Sequence, residues 1–345
     1  MDVPRFRLTE LPVDAAKNVL RIMSPIHLIG YSLLSKKCRN LTQSVGMRAE
    51  PIFCRISHSI QLGVEFNKTF RIYVKLYFEE KENGKHTMKT SPKTTHIGFR
   101  RNDIGARGLA VIESRMGVKE WVEHLQFLFA CPEVFVMVIK MQSFRFDIQS
   151  LRETFRNLYH LELYHTGCYE FNDLILREFL PITSCLLISP SCFQNFKIPP
   201  YVFIQNIQDL KILKRNDGHL TALELDDLLR MNGRTIETEN LMKTVKVFNK
   251  FLKLWIKGSN PHLEYISFRY TNWNREDPNA VMEGIEYQSM PRTLARKHRS
   301  IRFPVQGGLD FHRHDGVKAT VRVGKLSAEE AVVVMFVWHD HCCVP

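Results

Sequence analysis

The stretch FRLTELPVDAAKNVLRIMSPIHLIGYSLLSKKCRNL (residues 6–41) decides the N-terminal part of the fold. Pro12 suits the first position of a helix, because the N–H that it lacks would be unsatisfied there and its φ is already near the helical value. Ser24–Pro25 ends the helix, and a second apolar segment with a basic end follows. The apolar residues after Pro12 recur at helical spacing: Val13, Ala16, Val19, Leu20 and Met23.

These apolar side chains are too many for the segment itself. About forty residues cannot bury all of them among themselves. Either the rest of the chain covers them, as in a helical subdomain packed on the protein, or a partner protein does. Both interpretations predict a compact helical unit at the N-terminus.

The same stretch resembles an F-box, and its segment Ser32–Lys37 (SLLSKK) is similar to the corresponding segment of the large nematode F-box families. The matching features are Leu11–Pro12, the apolar spacing through Met23 and the second apolar patch through Leu41. The resemblance implies a three-helix F-box over residues 4–48 that docks the Skp-type adaptor of a cullin–RING ubiquitin ligase. The residues that it implies for adaptor binding are Leu11, Pro12, Val19, Leu20, Met23, Ile26, Leu28, Ile29 and Leu33.

Residues 50–115 change to a period of two. Apolar residues alternate with polar or aromatic ones over residues 70–78, which is typical of a half-buried strand. Residues 59–66 are strand-like too, with a two-residue turn predicted at Asn67–Lys68 and a hairpin signal at Asn83–Gly84. The segment predicts a small antiparallel sheet, in which no pattern calls for a ligand.

From about Val118 the chain alternates helices with strands, among them a helix capped by Asp147. A period of about 20–29 residues with one strand and one helix per unit is typical of leucine-rich repeats. We therefore predict an α+β or α/β fold whose main body is a degenerate leucine-rich-repeat-like series; a layered α/β domain with coincidental spacing is the alternative. Equivalent strand positions, at steps of 25, 25, 25 and 52 residues, fall at Val136, Leu161, Leu186, Lys211 and Leu263.

The strongest helical pattern covers Asn240–Lys257, with one apolar stripe from Leu241 to Trp255 and lysines on the opposite face. This helix (FNKFLKLWIKGSNPHLE, 248–264), the segment LELDDLLRMN (223–232) and the Trp121/His124 helix resemble the type 2 F-box-associated domain. That domain typically follows a nematode F-box. The resemblance assigns residues 116–285 to it and implies that this part captures a protein substrate.

Residues 286–345 predict a β segment that closes the same body. Leu309–Arg313 and Lys318–Val323 flank Asp315–Gly316 as a hairpin, and Val332–Trp338 reads as a buried strand. The basic run Arg292–Arg302 has no aromatic residue interleaved for base stacking. A solvated basic face is therefore the simpler interpretation of this run.

The resemblance implies a non-catalytic substrate receptor. An enzyme is disfavoured, because the motifs G-x-S-x-G, H-E-x-x-H, G-x-G-x-x-G and a phosphate loop are missing. With a net charge of +12, binding of nucleic acid or an acidic ligand through the basic flanks is the alternative. We nevertheless expect nucleic acid to bind only weakly. We expect no cofactor, and no metal at His339, His341, Cys342 and Cys343, since four donors within five residues cannot easily close a tetrahedron.

The chain begins without a signal peptide, and its longest apolar runs are far below the ~18 residues that span a bilayer. Its eight cysteines are dispersed and none forms a C-x-x-C. This usage fits a reducing compartment. We expect a protein of the cytoplasm or nucleus that does not enter a membrane.

Overall fold

The computed structural model describes residues 8–66, 70–80, 84–101, 105, 107–131, 134–213, 223–239, 244–271, 278–327 and 329–344. The chain divides into two compact units. The first comprises Met1–Tyr159 with Thr166–Cys168, and the second comprises His160–His165 with Tyr169–Pro345. The F-box stretch and the β segment belong to one unit.

The first unit begins with a 3₁₀ turn at Leu8–Glu10 and three helices: α1 Val13–Ile22, α2 Pro25–Ser32 and α3 Lys36–Gln43. Ser24 and Ser35 cap α2 and α3, since their side chains accept hydrogen bonds from the backbone N–H groups of His27 and Cys38. The predicted three-helix arrangement is confirmed. Pro12 lies at the N-cap of α1, one position before the predicted one.

A six-stranded sheet follows in the order β6-β1-β2-β3-β4-β5. The strands β1 to β5 form the predicted antiparallel sheet, and β6 pairs with β1 in parallel. Turn residues Asn67, Lys68 and Asn83 lie outside the described part, and Gly84 lies in the long connection from β3 to β4. The strands are β1 Ile52–Ile56, β2 Ser59–Phe66, β3 Phe70–Tyr77, β4 Thr94–Arg101, β5 Arg107–Ile112 and β6 Val134–Ile139.

Two further helices complete the first unit, α4 Val118–Phe129 and α5 Ile148–Thr154. The predicted cap is confirmed, because a carboxylate oxygen of Asp147 accepts the N–H of Ser150 at 2.7 Å. Trp121 of α4 is fully buried, as are Leu62 of β2 and Val74 of β3. Because side chains alternate across a strand, one face of this sheet forms the core of the unit and the other does not.

The second unit contains five successive parallel strands, each pair joined through a helix. In-register apolar side chains run across all five strands, beginning with Leu161 opposite Leu186 and ending with Ile236 opposite Ile266. The elements are β7 His160–Leu163, α6 Tyr169–Phe179, β8 Cys185–Ile188, α7 Pro200–Phe203, β9 Asp209–Ile212, α8 Leu225–Arg230, β10 Thr235–Glu239, α9 Val245–Ile256 and β11 Tyr265–Thr271.

The predicted strand spacing is confirmed within this unit. The step of 52 residues required one more strand between Lys211 and Leu263, and β10 supplies it. Leu263 itself precedes β11 by two residues. The strand at Val136 belongs to the first unit, so the predicted series is divided between the two units.

The remaining strands of the second unit are antiparallel: β12 Gln288–His298, β13 Val305–His312, β14 Lys318–Lys325, β15 Glu330–Val337 and β16 Cys343–Val344. The hairpin between β13 and β14 is confirmed, with Gly316 at φ +88° in its turn. The basic run needs a correction, because two of its residues are not solvated. Arg296 pairs with buried Asp310, and His298 is itself buried.

Helix α9 has the predicted two faces. Phe248, Leu252 and Trp255 are fully buried, whereas Lys246 and Lys250 are exposed. Residues 240–243, with the predicted start of the helix at Asn240 and Leu241, lie outside the described part. The helices that the structure describes include none long and apolar enough to cross a membrane.

Candidate functional site

Apolar side chains of the N-terminal 3₁₀ turn, α1 and α2 form a buried core. Leu20 of α1 and Leu28 of α2 are buried with Leu8 and Ala16. The half-buried side chains packed against this cluster are Leu11, Val19, Met23, Tyr31, Leu41, Val45 and Met47. The segment therefore hides more of its apolar surface than its length suggests.

Three of the residues implied for adaptor binding, Leu20, Leu28 and Ile29, are at most 2 % exposed and lie in the interior of the chain itself. Of the other implied contacts, Pro12 is exposed, and Leu11, Val19, Met23, Ile26 and Leu33 are half-buried.

Three apolar side chains that the resemblance did not assign are exposed instead. Val13, Ile22 and Leu34 are 59 %, 85 % and 73 % exposed. Val13 and Leu34 belong to the apolar segments seen in the sequence, whereas Ile22 lies off the apolar stripe of its helix. These three are the large apolar side chains that the described residues 8–48 leave exposed.

Polar contacts join the F-box helices to α4 of the same unit. The Ser32 hydroxyl lies 2.8 Å from Nε2 of His124, and the Arg39 guanidinium lies 4.2 Å from the ring centroid of Phe127. Burial, followed by the nearby charge of Arg39, lowers the pKa of His124 to about 4. His124 is therefore neutral at physiological pH. Helices α2 and α3 are therefore joined to α4 within the first unit.

The second unit contains a cavity of about 330 Å³ beside α7 and α8. Phe196, Ile198 and Phe203 give it apolar walls, and Glu224 and Asp226 add carboxylates. A volume near the lower end of ligand-binding clefts suits a side chain better than a large cofactor. The walls also include two cations, Lys197 and Arg230, which the three carboxylates Glu224, Asp226 and Asp227 outnumber by one.

Glu264, His341 and Cys342 offer ligand atoms that all lie within 4.8 Å of one another. The buried carboxylate of Glu264 already contacts two guanidinium groups, Arg299 at 3.4 Å and Arg234 at 3.8 Å. Burial and the neighbouring carboxylate raise the pKa of the Cys342 thiol to about 11. The carboxylate of Glu264 is therefore engaged in an ion-pair network with these two arginines.

Comparison with known proteins gives two matches along the chain. A family model described as F-box domain matches residues 8–48, and one described as F-box associated matches residues 198–268. Searches of curated proteins and of solved structures give no match. The first match covers the three helices and the exposed apolar side chains described above, and the second covers α7 to β11 with part of the cavity wall. The chain therefore contains an F-box domain followed by an F-box-associated domain.

Proposed function

We propose that this chain is the substrate-recognition subunit of a Skp–cullin–F-box ubiquitin ligase. The observation that carries the proposal is the coincidence of the F-box match at residues 8–48 with three helices that leave Ile22 and Leu34 exposed. A module built to bind an adaptor needs apolar side chains outside its own core. Val13, Ile22 and Leu34, with exposed Pro12, meet that need.

In this proposal the F-box-associated domain captures a protein substrate and presents its lysines to a ubiquitin-charged conjugating enzyme. The chain itself is non-catalytic, since it positions two other proteins and changes no bond. The cavity beside α7 and α8 receives a side chain of the substrate. Its carboxylates select a basic one, because opposite charges facing each other across an interface favour the right partner.

The proposal retains three expectations from the sequence. The in-register strands β7 to β11, with a helix in every connection, support the leucine-rich-repeat-like interpretation of the second unit. The sequence SLLSKK at Ser32–Lys37 supports a nematode origin. The cysteine usage supports a cytoplasmic or nuclear location.

The test is affinity capture of the full chain from cells, followed by mass spectrometry, with and without proteasome inhibition. We expect the adaptor and a cullin in both samples, and additional proteins that accumulate on the chain when the proteasome is blocked. The variant Asp226→Lys should lose these additional proteins and keep the adaptor. The matched control Asp340→Lys, another exposed aspartate, should keep both. Capture of neither adaptor nor cullin would overturn the proposal.

A further inference from the structure

The face of the first-unit sheet that does not form the core carries rings and cations in regular rows. The central row crosses five strands, because in-register neighbours point to the same face. It reads Phe53, Gly63, Tyr73, Gly98 and Leu109. The row on one side contains Arg55, Gln61, Lys75, His96 and Val111, and the row on the other contains Glu65, Arg71, Arg100 and Arg107.

The two rings of the central row lie flat over glycines of the neighbouring strand. A Cβ at Gly63 would overlap the Phe53 ring, and a Cβ at Gly98 would overlap the Tyr73 ring. Both rings are half-buried, so part of each remains open to solvent. The Arg71 guanidinium stacks on Phe53 at 4.8 Å from the ring centroid. Flat π surfaces therefore follow one another across the sheet.

The net charge of this face is positive. Among the described residues of β1 to β5, the face carries five cationic side chains, Arg55, Arg71, Lys75, Arg100 and Arg107, and one carboxylate, Glu65. Glu65 is bound to Arg71 at 2.8 Å. Arg55, Arg100 and Arg107 are exposed. The cations border the ring row on both sides.

We propose that this sheet face binds single-stranded nucleic acid, a function separate from ubiquitin ligation. Unpaired bases stack on aromatic rings and guanidinium planes presented by a sheet, and cations beside the rings neutralise the phosphates. Tyr73 is the principal stacking surface, and Arg100 and Arg107 contact the backbone. An acidic peptide would use the cations but would not stack on the rings of Phe53 and Tyr73.

The proposal departs from the expectation drawn from the sequence. The densest basic run lacks interleaved aromatic residues, and it lies in β12 of the other unit. On the first-unit sheet the interleaving arises between strands, where Arg71 and Lys75 flank Tyr73 on β3 and pair with Arg100 and His96 on β4. Strand register extends the alternation on β3 into a surface across the sheet.

The test uses the full chain and fluorescent 12-nucleotide oligo(U) and oligo(dT), with fluorescence anisotropy measured across a salt series. We expect Tyr73→Ala to weaken binding at least about fivefold, the loss of one stacked base, and Tyr73→Phe to restore it. Arg100→Ala with Arg107→Ala should lower the slope of log affinity against log salt by about 1.4. A preference for oligo(U) or for oligo(dT), which differ in the 2′-hydroxyl and in the C5-methyl group of the base, supports the proposal in either case.

Matched controls lie on the second unit. Tyr287→Ala removes an exposed tyrosine, and Lys246→Ala with Lys250→Ala removes two exposed cations. Neither should change the affinity or the salt slope. The proposal is overturned if both oligonucleotides fail to bind, or if the controls weaken binding as much as the sheet variants. It is also overturned if a 12-residue oligoglutamate competes fully while Tyr73→Ala has no effect, because an acidic peptide is then the ligand.

Discussion

The hydroxyl of Ser32, at the end of α2, contacts the imidazole of His124 in α4 with 2.8 Å between Oγ and Nε2. Ser32 also donates its proton to the carbonyl of Ile29 at 2.6 Å. His124 Nε2 therefore carries the proton that Ser32 accepts, and the imidazole is neutral. Both residues are buried. This contact links the F-box helix α2 to α4 within the first unit.

Replacement of Ser32 by alanine leaves a buried N–H of His124 without its acceptor. An unsatisfied buried donor costs about 1–3 kcal/mol, so Ser32→Ala should lower the free energy of unfolding by that amount. The matched control is Ser44→Ala, because Ser44 also bonds a carbonyl of its own helix but is exposed. The control should change stability by less than about 0.5 kcal/mol. Urea unfolding measures both, and equal losses would refute the role of the contact.

The depressed pKa of His124 predicts a loss of stability in mild acid. The unfolded chain takes up a proton near the ordinary pKa of 6.5, whereas folded His124 resists protonation down to about 4. The contribution of neutral His124 is therefore complete above pH 6.5 and is lost as the pH falls from 6.5 to 4. Unfolding free energies of the wild type and His124→Gln should converge over this window by on the order of 2 kcal/mol. Parallel pH profiles would contradict this assignment.

The pair Arg296–Asp310 should be important for the stability of the second unit. Two guanidinium nitrogens contact the two oxygens of Asp310 at 2.8 and 3.0 Å, and Thr320 donates to the same carboxylate at 2.6 Å. Arg296→Ala leaves a buried charge without its partner, which should cost roughly 3 kcal/mol. Arg292→Ala, on the exposed part of the same strand, should cost less than about 0.5 kcal/mol. Comparable thermal shifts for the two variants would show that the pair is not special.

Two glycines of the first unit should respond to alanine in opposite directions. A Cβ at Gly98 overlaps the Tyr73 ring, whereas a Cβ at Gly30 in α2 has no other atom within 4 Å. Gly98→Ala should therefore destabilise the chain by about 1–3 kcal/mol through overpacking. Gly30→Ala should stabilise it by about 0.5–1 kcal/mol, because glycine is unfavourable inside a helix. Denaturant titration checks both signs, and destabilisation by Gly30→Ala would be inconsistent with the open space at that position.

Local features of this fold were predictable from the sequence. The cap at Asp147, the hairpin at Asp315–Gly316 and the amphipathic α4 each depend on residues within one turn or one helix, and all three are present. The spacing of leucines also predicted the strand β10, because parallel units of similar length repeat the same pattern. These signals need no knowledge of distant partners.

The candidate site was less accessible to sequence reasoning. Helical periodicity places Leu20 and Met23 on one apolar stripe of a helix. It does not show whether the chain itself or a partner protein covers that stripe. Leu20 is buried with Leu8 and Leu28, whereas Val13 on the stripe and Ile22 off it are both exposed. The partners of Arg296 and Tyr73 depend on strand register across the sheets, which a linear pattern does not contain.

The most direct test of the proposed receptor function is the affinity of this chain for a Skp-type adaptor, measured by isothermal titration calorimetry. Replacement of Leu11 would damage the core cluster, so the informative variant is the double change Ile22→Glu, Leu34→Glu. It should weaken adaptor binding at least about thirtyfold, as expected for the loss of central anchors, and should leave the thermal unfolding midpoint unchanged. The control Leu109→Glu, Val111→Glu, two exposed apolar side chains on β5, should bind like the wild type. Undiminished binding by the Ile22/Leu34 variant, or no binding by the wild type, would contradict the account.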